Sequence, residues 1–412
     1  MLSASSAPII EATLPVVGEH LEQISGVFYD TMIGDNPELL NLFSRSAQAT
    51  GEQRSALAGA VAAYAAHLIG AGPAGPAFEH IVERIAQRHC ALGIRPEQYT
   101  MVGRYLLGAV VQVLGDAVTP AVAAAWDEVY WLFAARLIGR EARLYGEAGV
   151  DGTDPWRPYT VISRIAEAHD TVSFVLVPAD GSPAPEFRPG QYVTVNAELP
   201  GAGRQLRQYS LSQAATGGTL RITVRRVRGV NGAPDGVVSG HLHDNVTTGD
   251  ELLLSRPYGD LALTPGNGPL LLISAGVGVT PMAAILDHVA RTQPTREVTA
   301  VHADRSPDRH PLRTDMTGNG ARLRTFTNLY WYEQGTEEPG TGRPGATEPG
   351  TRTGRIDTDL IPLHPDAEVY LCGPAPFMQA VRAGLHRRGV ADERIRYEVF
   401  GSEQWRPAPA LV

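Results

Sequence analysis

The stretch Glu79-His80-Ile81-Val82-Glu83-Arg84-Ile85-Ala86-Gln87-Arg88-His89 contains no proline or glycine and reads as one helix. Ile81, Ile85 and His89 fall at i, i+4 and i+8, on one face. His80, Arg84 and Arg88 share the neighbouring, charged face. The spacing predicts that His89 points with the core and His80 toward water. An imidazole aimed into an apolar pocket can hold a metal through one nitrogen. It can also be a core histidine satisfied by a backbone carbonyl, the commoner fate of a buried polar group. The helix alone leaves both readings open.

The rest of the chain narrows them. Its 412 residues suggest two to four domains and ample core. Lys+Arg 35 against Asp+Glu 44 gives a net charge of −9. That argues against nucleic acid as a partner, because a phosphate backbone attracts basic surfaces. There is no lysine, so a lysine nucleophile, a Schiff base and a P-loop lysine are excluded. The cysteines, Cys90 and Cys372, are far apart and form no CxxC pair. They suit a reducing cytoplasm and offer neither a disulfide framework nor a zinc or iron–sulfur set. Residues 1–13 lack a basic region followed by an apolar core, so no signal peptide is expected. No apolar run reaches membrane-spanning length, 269–279 included, so no stable membrane association is expected. A cytoplasmic monomer is the expected state.

Taken in order, 15–149 is Ala-rich and helical in pattern. The predicted helices are 15–33, 37–43, 51–69, 76–90, 96–117 and 121–148, several with Pro near the start. Residues 151–155 read as a linker. Strand-like runs at 159–166, 171–178, 191–196, 207–211, 220–227 and 251–255 are separated by turn residues and predict a small antiparallel barrel. From about 268, an apolar strand at 270–274, a glycine turn, a helix from Thr280 and strands at 298–302 and 368–372 predict a doubly wound α/β domain. Residues 334–353 lack core-forming periodicity and read as a disordered surface loop, and 406–412 as a frayed tail.

In the helical third, Gln53, Leu57, Ala60, Val61 and Tyr64 share a face, with Gln53 its polar member. Phe43 ends an apolar run, and Tyr29 follows Phe28 in a helix; both suit core as well as a ligand contact. Glu141 shares a face with Ala134, Leu137 and Tyr145. A carboxylate on an apolar face needs a partner: a histidine, or a salt bridge to Arg140 or Arg143. The motifs Phe28-Tyr29-Asp30, Asn36-Pro37-Glu38-Leu39, Leu42-Phe43, Gln53-Arg54, Ala63-Tyr64-Ala65, Ala86-Gln87-Arg88-His89, Pro96-Glu97-Gln98-Tyr99 and Arg140-Glu141-Ala142 together resemble the globin domain of the flavohaemoglobins. The resemblance implies haem b held by His89 as the proximal iron ligand. It implies Tyr29, Gln53 and Leu57 on the distal side, Phe43 packed on the haem, and Tyr99 and Glu141 as partners of His89. A carboxylate on the ligating imidazole makes it more anionic and pushes electrons onto iron.

In the middle third, Arg207-Gln208-Tyr209-Ser210 resembles the Arg-x-Tyr-Ser flavin motif of the ferredoxin-reductase family. Phe187-Arg188-Pro189-Gly190-Gln191-Tyr192 and Gly236-Val237-Val238-Ser239 resemble its flanking motifs. The resemblance implies FAD against Tyr192 and Tyr209. Arg207, Gln208 and Ser210 would reach its polar groups, and backbone N–H groups and a hydroxyl of 236–239 its pyrophosphate. The longer segment 228–234 departs from the usual pattern. In the last third, Gly276-Val277-Gly278-Val279-Thr280-Pro281 follows a buried strand. Its glycines let backbone approach a pyrophosphate at a helix start, and it matches the Gly-x-Gly-x-Thr-Pro form of the same family. Cys372-Gly373-Pro374 resembles the second nucleotide motif, with Cys372 near the nicotinamide. Tyr397-Glu398-Val399-Phe400-Gly401 resembles the family's end, where Phe400 covers the flavin.

The expected architecture is multidomain: an all-α globin domain (1–149), an antiparallel β-barrel FAD domain (150–264) and an α/β doubly wound NAD(P) domain (265–412). The expected function is NAD(P)H-dependent nitric oxide dioxygenation, with O2 and nitric oxide as substrates. Two rivals use the same parts. One is an NAD(P)H-dependent reductase of ferric iron, quinones or hydroperoxides; the other is a haem-based oxygen or nitric oxide sensor or store.

Overall fold

A computed structural model describes residues 2–41, 54–72, 76–150, 154–229, 234–334 and 350–400. The chain divides into two compact units. One comprises residues 1–155 with 200–206, the other 156–199 with 207–412.

The first unit is helical. Its helices are α1 (Ala7–Glu19), α2 (Leu21–Asp35), α3 (Arg54–Leu68), α4 (Pro76–Leu92), α5 (Pro96–Leu114) and α6 (Pro120–Glu147), with 3-10 turns at Pro37–Asn41 and Gly115–Ala117. The helix expected over 15–33 is two helices. At His20 the chain turns: its N–H bonds Val17 O and its Nδ1 lies 2.9 Å from Val16 O, closing α1. Proline starts α4, α5 and α6, where its missing N–H costs nothing. Thr119 Oγ1 caps α6 by accepting from Val122 N at 3.3 Å. Gln98 Oε1 accepts from Arg95 N at 2.8 Å at the start of α5. The core-facing stripe of α4 is Val82, Ala86 and Cys90, all buried, with Gln87 beside them. Ile81, Ile85 and His89, predicted on the core face, are one residue off that stripe and half-buried. An adjacent pair of stripes on a helix differs by only about 100°, which periodicity over a short helix does not resolve.

The strands form two six-stranded sheets. The first has strands β1 (Arg157–Ala168), β2 (Thr171–Pro178), β3 (Tyr192–Leu199), β4 (Gly203–Ser210), β5 (Leu220–Arg225) and β6 (Glu251–Leu254), in the order β4-β3-β6-β1-β2-β5. Its pairings β1–β2, β1–β6, β2–β5 and β3–β6 are antiparallel. An antiparallel bridge between Leu211 and Ile222 joins the chain leaving β4 to β5. The two edges therefore meet at one end, and the sheet curls into an incompletely closed barrel. Helix α7 (Val237–Asn245) packs against β3 and β5.

The second sheet is parallel, in the order β10-β9-β8-β7-β11-β12. Its strands are β7 (Leu270–Ala275), β8 (Val298–Asp304), β9 (Phe326–Tyr332), β10 (Thr351–Thr353), β11 (Glu368–Cys372) and β12 (Ile395–Glu398). One face is covered by α8 (Val279–Thr292) and α9 (Arg313–Gly320), through Met282, Ile285, Leu286, Val289 and Met316. The other is covered by α10 (Ala375–Arg387), through Met378, Val381 and Leu385. Cover on both faces lets the central strands be largely apolar, as in 270–273 of β7. Of the segment read as a loop at 334–353, residues 335–349 lie outside the described residues, but 351–353 form β10. β-branched Thr351 and Thr353 pair there with Tyr330 and Tyr332. The tail 406–412 also lies outside.

Candidate functional sites

In the helical unit three helices bring together one histidine, one tyrosine and one carboxylate. His89 Nδ1 lies 2.8 Å from Glu141 Oε1 and 3.0 Å from Tyr99 OH. Tyr99 OH donates to the same Glu141 Oε1 at 2.6 Å. Glu141 is 2 % exposed. Because Oε1 accepts from both neighbours, the proton of the imidazole sits on Nδ1. Nε2 then carries a lone pair and faces away from the carboxylate. Neither Arg140 nor Arg143 pairs with Glu141: Arg140 is bound by Glu83, and Arg143 is exposed.

Tyr99 is itself fixed. Its backbone carbonyl accepts from Tyr130 OH at 2.5 Å, and a Cβ on Gly103 would meet the Tyr130 ring at 2.4 Å. Burial, then the Glu141 charge, pushes the Tyr99 phenol far above its usual pKa. It therefore remains a donor. Tyr29 of α2 is 9 % exposed, and burial pushes its phenol up to about 12. Leu57 of α3 is half-buried. Phe43 and Gln53 lie outside the described residues.

In the barrel, Tyr192 is buried and bridged to Tyr258, with N–H···O bonds of 2.7 and 2.9 Å. β4 is an edge strand carrying Arg207, Gln208, Tyr209 and Ser210. Gln208 Nε2 and Ser210 Oγ are buried and find no hydrogen-bond partner among the described residues. Burial lowers the pKa of Arg207 and raises that of Tyr209. Two orphaned buried polar atoms are costly unless a polar ligand meets them. The Ser239 hydroxyl, expected on a phosphate, is engaged within the chain: it accepts from Val227 N at 3.1 Å and donates to Gly236 O at 3.0 Å. What 236–239 leaves for an anion is the start of α7, where Gly236 is the N-cap and the first backbone N–H groups, from Val237 and Val238, lack helical acceptors.

In the parallel domain the glycine turn is a 3-10 turn, Gly276–Gly278, and α8 starts at Val279, one residue before the predicted start. Gly276 has φ +53°. A Cβ on Gly278 would stand 2.4 Å from Cys372 O. The turn is thus pressed against the end of β11, beside Gly373 and Pro374. The Thr280 hydroxyl donates to Val277 O at 2.9 Å, and Pro281 is buried. Cys372 is fully buried and paired in register with Glu398, two residues before the 38 % exposed Phe400. Burial, then Glu398, pushes its thiol well above the usual range, so it stays protonated.

Sequence reading missed Arg225. A Cβ on Gly276 would lie 2.8 Å from Arg225 Nη1, so this barrel guanidinium hangs over the nucleotide turn. Asp170 orients it, accepting from Arg225 Nε and Arg309 Nη1 at 3.1 Å each. The three residues belong to separate segments and form no local motif. Asp287, buried on α8, was also missed. It accepts from Ala214 N at 2.9 Å and pins the nucleotide helix to the barrel.

Comparison with known proteins then bears on the whole chain. The globin family matches residues 26–137, the oxidoreductase FAD-binding domain 158–262 and the oxidoreductase NAD-binding domain 272–383. A flavohemoprotein of Bordetella parapertussis is 41% identical over 411 residues, covering 98% of this chain and 99% of its own. The chain belongs to the flavohaemoprotein family. A flavohemoprotein of Bacillus subtilis is 37% identical over 410 residues, covering 98% of each chain. The solved flavohemoglobin of Malassezia yamatoensis, with bound FAD and heme, superposes with a TM-score of 0.84 at 35% identity, covering 97% of this chain and 100% of its own. The FAD/NAD-binding domain of a nitric oxide dioxygenase from Vibrio cholerae is 36% identical over 60% of this chain and 98% of its own, with a TM-score of 0.54.

This family member is an NAD(P)H-dependent haem-flavoprotein oxidoreductase, and its residues fit those groups. Among the described residues no cluster of three or more His, Cys, Asp or Glu could hold a metal ion. A single imidazole with an outward lone pair suits haem, whose macrocycle supplies the other iron ligands. The orphaned atoms of Gln208 and Ser210 suit a flavin. No helix among the described residues is long and apolar enough to cross a membrane.

Proposed function

We propose that this flavohaemoprotein is a cytoplasmic nitric oxide dioxygenase that converts nitric oxide and O2 to nitrate at the expense of NAD(P)H. The observation that carries the proposal is the His89–Glu141–Tyr99 arrangement, with Nδ1 2.8 Å from a buried carboxylate oxygen. Haem bound at His89 would supply O2 binding and one-electron chemistry, and FAD would convert hydride equivalents into single electrons. The chain's own residues set the conditions. Glu141 holds the imidazole tautomer and makes the ligand more basic, which favours oxygen activation over storage. Tyr29, kept protonated by burial, would donate a hydrogen bond on the distal side together with Gln53. The glycine turn, the start of α8 and Arg225 would hold the coenzyme pyrophosphate. Cys372 and Phe400 would line the place where the nicotinamide meets the flavin.

The deciding measurement is nitrate formed per NADH oxidised, followed by stopped flow with nitric oxide and air present. Nitrate is expected in proportion to NADH and only with O2. A yield near zero with intact haem absorbance would eliminate the dioxygenase reading and leave the reductase and sensor alternatives. Glu141→Gln should lower nitrate turnover by roughly 10- to 100-fold, the usual effect of removing the partner of a ligating histidine. Arg225→Gln should raise KM for the coenzyme by about tenfold with kcat little changed, since one charge-assisted hydrogen bond contributes about 1.5 kcal/mol. Steady-state kinetics with a flavin-level acceptor checks this, and an unchanged KM would count against the assignment.

A further inference from the structure

Arg140 immediately precedes Glu141, so a guanidinium lies next to a buried carboxylate in sequence. Adjacent helical residues point about 100° apart and do not face each other, but a buried carboxylate with a free oxygen attracts any cation whose arm can reach it. Arg140 is held elsewhere. Arg140 Nε lies 2.6 Å from Glu83 Oε2, and its Nη2 lies 2.9 Å from Glu83 Oε1. Glu83 is held in turn by Gln87, itself 2 % exposed, whose Nε2 donates to Glu83 Oε1 at 2.7 Å. The remaining arm, Nη1, reaches Glu147 Oε1 at 3.3 Å. Arg136 is taken up by Glu79. Glu141 Oε2 is left buried with no hydrogen-bond partner among the described residues.

We infer that Glu83 is a positioning residue that sequesters Arg140, so that the full charge of Glu141 acts on His89 and Tyr99. The inference rests on His89 being the haem ligand. The two-point geometry supports it, since a bidentate carboxylate matches the guanidinium fork better than the single free oxygen of Glu141 could. Without Glu83, Arg140 can turn to that free oxygen. It would then draw charge away from the hydrogen bond to Nδ1, and the imidazole would become a weaker donor to iron.

Resonance Raman spectroscopy of the ferrous holoprotein, which reads the iron–histidine stretch, tests this. Glu83→Gln is expected to move the band to lower frequency, with a rise in haem reduction potential. Glu83→Asp, which keeps the charge, should largely preserve both. Arg140→Met should leave the band unshifted, because no cation remains to compete. The double variant Glu83→Gln/Arg140→Met should return the band to its original position. An unshifted band in Glu83→Gln would overturn the inference. So would a shift that persists in the double variant, which would mean that Glu83 merely braces α4 against α6. A wild-type protein that binds haem without any iron–imidazole band would remove the ligation reading itself, and that outcome is distinct from the other two.

Discussion

His89→Ala is expected to purify without a Soret band while NADH still reduces its flavin at close to the parental rate. The imidazole is the only group proposed to bind iron from the protein side. Its Nδ1 is held by Glu141 and Tyr99, which leaves Nε2 as the ring nitrogen for iron. Nitrate formation should be lost completely. Flavin reduction should stay within about twofold, because the flavin and nucleotide residues lie in a separately packed unit and distant substitutions act independently. Absorption spectroscopy and anaerobic stopped-flow reduction read the two properties side by side. Simultaneous loss of both would contradict the assignment of separate haem and flavin modules. A retained Soret band with an unchanged iron–imidazole stretch would show that another residue is the ligand.

The second large effect is expected from Gly278→Ala. The added methyl would stand 2.4 Å from Cys372 O and 2.6 Å from Cys372 C. Both are backbone atoms of a buried central strand, so no flexible side chain can yield. Relief requires the turn or β11 to move, at about 1–3 kcal/mol for overpacking of this kind. Such a displacement withdraws the helix start from the pyrophosphate, and hydride transfer to the flavin should fall by roughly tenfold or more. Flavin content and the haem spectrum should be unchanged, since the flavin residues proposed on β4 and α7 and the haem residues of the helical unit are not altered. Parental reduction kinetics in this variant would show that the glycine is not where the coenzyme approaches.

Much of the site was legible because local motifs carry it. Arg207-Gln208-Tyr209-Ser210 and Gly276 through Pro281 are contiguous, and each shows its purpose in residue types a strand edge or a helix start requires. His89 and Glu141 were legible for another reason: each is a polar residue out of place on a helix that is otherwise apolar on that side. Orientation was less accessible. The stripe through Ile81, Ile85 and His89 was read as core, but the buried stripe is Val82, Ala86 and Cys90. The hydroxyl of Ser239 was expected to serve a phosphate, yet it is hydrogen-bonded within the chain.

Sequence by itself determined the number and kind of modules, their order and the residues that could carry each cofactor, because periodicity, turn chemistry and short motifs are properties of neighbouring residues. Tertiary structure alone decided which charges meet. That Arg140 pairs with Glu83, and that Arg225 reaches the Gly276 turn under the control of Asp170, depends on how separate segments pack. Those choices follow from burial and distance between residues far apart in the chain, and no local pattern encodes them.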